Sequence, residues 1–261
     1  FAAIERRHIL FYVNVTCDIL LLTKLKVREM RYMAFSEGIK NAVNSYCNNH
    51  LAPDSWYENE FSFIKDAELR ERIIAEFKAI RFAYKLYEGI EATDTNLMFE
   101  VRNQIFAYAS IYEAVIENVL DTYYSDTAEF DDLIHHTIPL KISIPQEKQS
   151  ELQNVLSHDG KVIVPFYYGR KKKEKAKIRF DDKCRTAESL GLIHKFINDS
   201  GAEIDLPSEL IEIYSYRNGI HIIAEQRKGI SYELDLSKRA YRRMRPFIDQ
   251  LKEKLCQDNK I

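Results

Sequence analysis

Apolar positions along the chain change their period part-way, and that change divides it into a helical part and a short β-containing part. Phe35 to His50 has the spacing of a short helix, closed by Leu-Ala-Pro-Asp at 51–54. Leu69, Ile73, Phe77, Ile80, Tyr84 and Tyr87 recur at intervals of three and four, with Glu and Arg opposite, so a long amphipathic helix is predicted to end near Gly89. Thr93 to Asn96 reads as a turn and cap. Leu97 to Tyr124 is a second long helix, striped by Ile105, Ala109, Tyr112, Ile116, Val119 and Tyr123. A short turn between two such helices predicts an antiparallel pair.

After Thr137 the period falls to two. Ile138 to Ile144 and Lys161 to Tyr168 read as strands, Lys177 to Phe180 as a third, and Gln146 to His158 as a polar helix between the first two. Helix is predicted to resume over Asp181–Ile197, then Ser208–Glu225, then Ser237–Leu255. The expected fold is therefore mainly α, an antiparallel helical bundle with a small β-containing insertion at 138–180. A helical extension over 1–60 precedes a domain over 61–261. No internal repeat is evident.

The stretch 214–222, Tyr-Ser-Tyr-Arg-Asn-Gly-Ile-His-Ile, allows two readings. Asn218-Gly219 between β-prone residues is a hairpin signal, and it would put Arg217 and His221 on opposite faces. In a helix the two are i and i+4 and share a face. The wider window favours the helix, because Leu210, Ile213, Arg217, Ile220 and Ala224 keep helical spacing and Asp205 or Ser208 can cap the start, with Pro207 in the first turn.

Composition narrows the classes. The chain has 261 residues, enough for a substantial core, and a formal charge of -2 excludes a globally basic nucleic-acid coat. A nucleic-acid contact has to come from a local patch, and two are visible. Arg170, Lys171, Lys172 and Lys173 follow Phe166-Tyr167-Tyr168, which sets stacking surfaces beside cations. Arg239, Arg242, Arg243 and Arg245 form the second. Runs of this kind are more often solvated faces or hairpin tips. Cys17, Cys47, Cys184 and Cys256 are scattered, as expected of reduced cysteines in a cytoplasmic protein. No residues have metal-ligand spacing, the His135-His136 doublet reads as a helix end, and no cofactor is expected. Ile9 to Leu25 is apolar-rich but broken by Asn14, Thr16, Asp18 and Lys24, so no membrane span is expected. Phe1 opens the chain, and Met30 and Met33 are alternative starts; residues 1–30 read as a fragment edge, as non-native sequence, or as a buried element.

Three segments together resemble the HEPN superfamily. They are Arg-Asn-Gly-Ile-His at 217–221 with the helix opening Leu-Ser-Lys-Arg-Ala-Tyr at 236–241, the helix at 102–117, and Lys183–Ile193. The resemblance spans roughly residues 65–255. It implies an all-α core that forms a homodimer and, in many members, a metal-independent endoribonuclease serving as a toxin or phage-defence effector, with an antitoxin or regulatory partner. It also supports the helical reading of 208–225. On the family's motif, Arg217 matches the Arg, Asn218 the polar residue and His221 the His. Three residues separate Arg217 from His221, where the family usually has four to six. Under this resemblance His221 moves protons and Arg217 holds charge on a phosphorane. Glu113, beside the stripe of Ala109, Tyr112 and Ile116, is a candidate to orient Arg217 or to set the His221 tautomer; Glu117 lies one turn further on, and either could be an ordinary solvated carboxylate. The shortened motif equally suits a catalytically inactive dimeric binding or scaffold module. In a third reading, the insertion binds RNA while the helices only dimerise.

Overall fold

The computed structural model describes residues 34–156, 159–218 and 232–261. The chain divides into two compact units between His50 and Leu51. In the first, α1 (Glu37–Asn48) occupies most of the segment expected to be helical. The second holds all other described elements.

That unit begins with α2 (Asp54–Glu60) and α3 (Ala67–Gly89). Asp66 caps α3 by accepting a hydrogen bond from the Leu69 amide at 3.1 Å, which satisfies one of the amides that a helix start leaves without an intrahelical partner. After a short turn, α4 runs over Asp94–Tyr123 and forms the axis of the unit. Its predicted stripe of Ile105, Ala109, Tyr112, Ile116, Val119 and Tyr123 is buried. α4 packs against α3 and against three later helices, α7 (Phe180–Ser189), α8 (Leu206–Arg217) and α9 (Leu234–Gln257). Burial on several sides explains why α4 is apolar around more of its circumference than a surface helix would be. Two hydrogen bonds fix it at depth. Tyr112 Oη donates to the Ala240 carbonyl of α9 at 2.6 Å, and Tyr123 Oη donates to the Phe63 carbonyl.

Between α4 and α7 lie α5 (Ala128–Ile134), β1 (His135–Lys141), α6 (Gln146–Val155) and β2 (Phe166–Lys172). β1 and β2 form a two-stranded antiparallel sheet with His135 opposite Lys172 and Lys141 opposite Phe166. The Leu140 side chain of the facing strand packs over the bare Gly169 backbone and would have to shift for any larger residue there. The molecule is thus mainly helical with a small two-stranded insertion.

Several boundaries differ from expectation. The second strand begins at Phe166, so the apolar run 162–164 lies outside it and the basic residues 170–172 lie within it, at the base of the hairpin and not at its tip. The expected third strand at 177–180 is absent: residues Lys175–Lys177 form a 3-10 turn and Phe180 opens α7. Phe180 is buried and stacks on Tyr214 at 4.3 Å, so its packing partner is a helix and not a strand. α7 stops at Ser189, short of the expected Ile197, because Gly191 takes φ +71°. The Gly191 amide bonds to the Glu188 carbonyl and the Leu192 amide to the Ala187 carbonyl, a left-handed helix cap that few residues other than glycine adopt without strain. Beyond it Phe196–Ile197 and Glu203–Ile204 pair as the minimal strands β3 and β4.

α8 resolves the choice over 214–218. Asp205 caps its start by accepting from the Ser208 amide at 3.1 Å, Pro207 sits in its first turn, and the helix continues through Arg217 to Asn218, which has right-handed helical backbone angles. Tyr214 to Tyr216 therefore belong to a helix and not to a hairpin strand. His221, Gly219 and the rest of the expected helix to Glu225 lie outside the described residues, as do His158, Cys17 and residues 1–30. Among the described residues no helix is long and apolar enough to cross a membrane.

Candidate functional site

The last turn of α8 carries Tyr214 and Arg217 toward the middle of α4, where Glu113 sits at the edge of the buried stripe. Arg217 Nη1 donates to Glu113 Oε2 at 2.5 Å and to Tyr214 Oη at 2.8 Å, and Tyr214 Oη donates to Glu113 Oε1 at 3.0 Å. The guanidinium also lies 5.3 Å from the Phe106 ring centroid and 5.0 Å from that of Tyr214. Carboxylate, phenol and guanidinium close a three-membered hydrogen-bonded ring that fixes the cation's orientation. Burial raises the Tyr214 pKa, and the Glu113 carboxylate adds to the rise while Arg217 opposes it, so the phenol stays protonated and able to donate.

Glu113 is also the first rung of a longer ladder. Glu113, Glu117 and Asp121 follow at i, i+4 and i+8 on one face of α4, and three cations from other elements meet them. Lys183 of α7 lies 2.5 Å from Glu117 Oε2 and 3.8 Å from Glu113 Oε1. Lys175 of the 3-10 turn lies 3.1 Å from Glu117 Oε1 and 2.6 Å from Asp121. The Lys183 side chain is only 6% exposed, and a buried ammonium without partners would be costly. Burial pushes the Glu117 pKa up, but hydrogen bonds from Lys183 and Lys175 outweigh it and hold the carboxyl below its ordinary value.

Beside Tyr214 the surface is concave. A hollow of about 300 Å³ is lined by Glu113, Lys177, Arg179, Phe180, Tyr214 and Asn218, among others. Among the described residues Lys177 and Arg179 pair with exposed neighbours, Glu174 at 3.0 Å and Asp181 at 2.8 Å, and such pairs hold their cations weakly.

Three of the four residues expected at the catalytic site, Arg217, Asn218 and Glu113, therefore gather at one place, while His221 lies outside the described residues. The expected RNA-binding residues lie elsewhere, on β2 and just after it. Arg170 is gripped by Asp131 and Asp132 of α5, and Lys173 lies 4.0 Å from Asp182. Lys171 and Lys172 are exposed, and so is Tyr168. The arginines of α9 are largely engaged within the fold: Arg239 lies 3.0 Å from Glu212, Arg243 lies 2.5 Å from Glu209, and Arg245 bonds Asp249 at 2.9 Å. Among the described residues no group of three or more His, Cys, Asp or Glu is placed to hold a metal ion. Lys183 was not singled out as a site residue from the sequence; the four-residue spacing of Glu113, Glu117 and Asp121, which stacks three carboxylates on one face of α4, was the available signal.

No family model matches the chain, and neither a curated protein nor a solved structure matches it.

Proposed function

We propose that this protein is a metal-independent endoribonuclease of the HEPN type, acting as a homodimer on single-stranded or loop RNA. The observation that supports this most is the seating of Arg217. Its Nη1 is held by Glu113 and Tyr214, and both of those residues also line the hollow that Asn218, Lys177 and Arg179 border, so the oriented cation sits beside that concave surface. A guanidinium already oriented before an anion arrives loses little freedom on binding it, which is what electrostatic stabilisation of a transition state requires.

In the reaction, a ribose 2′-oxygen attacks the adjacent phosphorus and loses its proton to a histidine. The bond from phosphorus to the 5′-oxygen breaks, and that oxygen takes a proton from a second donor. The products are a 2′,3′-cyclic phosphate and a free 5′-hydroxyl. His221, four residues past Arg217 in the sequence, is the proton carrier, and His221 of the partner subunit supplies the second group. Arg217 bears the charge that accumulates on the non-bridging oxygens, Glu113 and Tyr214 hold Arg217 in place, and Asn218 contacts the phosphate. The biological role proposed with it is that of a toxin or phage-defence effector.

The test is RNA cleavage by purified protein in EDTA, with end-group analysis of the products. Cleavage with cyclic-phosphate ends, abolished by His221→Ala and reduced to a trace by Arg217→Ala, is the expected result. Equal degradation by wild type and His221→Ala would overturn the reading and leave a catalytically silent dimeric binding module.

A further inference from the structure

A second cavity, of about 220 Å³, opens at the base of the β-hairpin, on the far side of the ladder from Arg217. Its floor is apolar: Leu120 of α4, Phe130 and Leu133 of α5, and Ile178. Its remaining lining includes four lysines, 172, 173, 175 and 183, against two carboxylates, Glu117 and Asp121. The two carboxylates are already committed. Lys183 lies 2.5 Å from Glu117, and Lys175 lies 2.6 Å from Asp121 and 3.1 Å from Glu117. The surplus charge therefore rests on Lys172 and Lys173. Lys173 has only Asp182, at the 4.0 Å limit of an ion pair, and Lys172 has no acidic partner among the described residues.

We infer that this cavity binds a small aromatic anion, with its ring on the Leu120, Phe130, Leu133 and Ile178 floor and its acidic group between Lys172 and Lys173. The chemistry of the lining selects it. An apolar floor favours a flat hydrocarbon or heteroaromatic face, and the weakly paired Lys173 and the Lys172 beside it favour a carboxylate or phosphate over a neutral head. Drug-sized sites run to about 300–1,000 Å³, so this smaller space encloses roughly one fused bicyclic ring, with the acidic group and any linker to it left nearer solvent. The two carboxylates in the lining are already paired with Lys175 and Lys183, so an incoming anion meets net positive charge. Two sources share this chemistry, an aromatic carboxylic acid and a mononucleotide. The site does not depend on the nuclease reading.

Calorimetric titration of the full chain tests the inference with four probes: 1-naphthoate, adenosine 5′-monophosphate, 1-naphthalenemethanol and inorganic phosphate. Saturable binding of naphthoate or of the mononucleotide is expected, about tenfold or more tighter than either the neutral alcohol or phosphate alone. Naphthoate alone points to an aromatic acid, and binding of the nucleotide points to a nucleotide source. Lys172→Ala/Lys173→Ala should weaken binding about tenfold or more, since both residues sit on or beside the exposed strand and the fold does not rest on them. Ile178→Trp, which fills the cavity from its rim, should abolish it; if that variant fails to fold, the lysine pair decides. Absence of binding by both anions at millimolar concentration overturns the inference, as does equal affinity for the neutral alcohol or unchanged affinity in the lysine variant.

Discussion

Lys183 of α7 reaches Glu117 of α4 at 2.5 Å from a side chain that is almost wholly buried. The pair stands at the centre of the ladder that joins the Arg217 cluster to the hairpin cavity. Its geometry makes α7 docking on α4 partly an electrostatic matter, and it exposes the fold to a direct test.

Lys183→Met should lower stability by about 2 kcal/mol, because Glu117 then keeps only Lys175 as a partner while remaining partly buried. Adding Glu117→Gln should recover part of the loss by removing the unpaired charge. Urea unfolding of the two single variants and the double variant measures the coupling. A Lys183→Met midpoint equal to wild type would show that the buried ion pair contributes nothing.

The same pair sets an acid dependence. The Glu117 carboxyl titrates below its ordinary value of 4.5 in the folded protein, so the unfolded chain takes up its proton first as the pH falls. Its contribution is full above about pH 4.5, and it is lost progressively as the pH drops through the lower folded value. The stability gap between wild type and Glu117→Gln should therefore narrow below that pH. Urea midpoints between neutral pH and pH 3 would reveal it, and a gap that widens with acid would contradict the assigned direction.

Tyr112→Phe should cost about 1 kcal/mol, since it removes the buried hydrogen bond that ties α4 to the Ala240 carbonyl of α9 and leaves that carbonyl with its intrahelical partner alone. Thermal and urea unfolding should both register the loss, with little change in the dependence on urea concentration. A variant as stable as wild type would mean that the carbonyl finds another donor.

If the nuclease reading holds, Arg217→Lys should retain little cleavage although it keeps the charge, because a lysine cannot both bond Glu113 and Tyr214 and present a planar fork to phosphate. Glu113→Gln should lower the rate constant more than it raises the substrate concentration needed, by about tenfold, as expected when an orienting group is lost and not a binding one. Single-turnover kinetics on a short single-stranded RNA separate the two effects. A Glu113→Gln enzyme with unchanged kinetics would remove Glu113 from the site.

The proposed dimer carries its own test. Phe99 and Phe106 lie seven residues apart on α4, near one helical face, and both are exposed, with Phe106 next to Arg217. Sedimentation should give a dimer at micromolar concentration, and Phe99→Asp/Phe106→Asp should shift it to monomer. A wild-type monomer at that concentration would count against a composite site.

The sequence by itself determined the long helices, whose apolar stripes are written locally along the chain. α3 and α4 were legible because a stripe at intervals of three and four encodes a helix locally; the break near Gly89 was read correctly, while the turn read at 93–96 proved shorter, since α4 already starts at Asp94. The grouping of Arg217 with Glu113 was legible as a candidate only, since 104 residues separate them and their meeting depends on how α8 crosses α4. Tertiary structure alone decided the rest. The strand at 166–172 was placed too early because the apolar run 162–164 looks more strand-like than Arg170-Lys171-Lys172; pairing with β1, and the grip of Asp131 and Asp132 on Arg170, override that local preference. Phe180 was assigned to a strand because its partner, Tyr214, lies in a helix still to come along the chain. Glu113, Glu117 and Asp121 share one face of α4 by their spacing, but only Glu113 and Glu117 were weighed from the sequence, and which cations meet them was beyond local reading. Lys183 and Lys175 reach that face only once α7 has docked on α4, because an ion pair is a property of distance in space and the sequence records only distance along the chain.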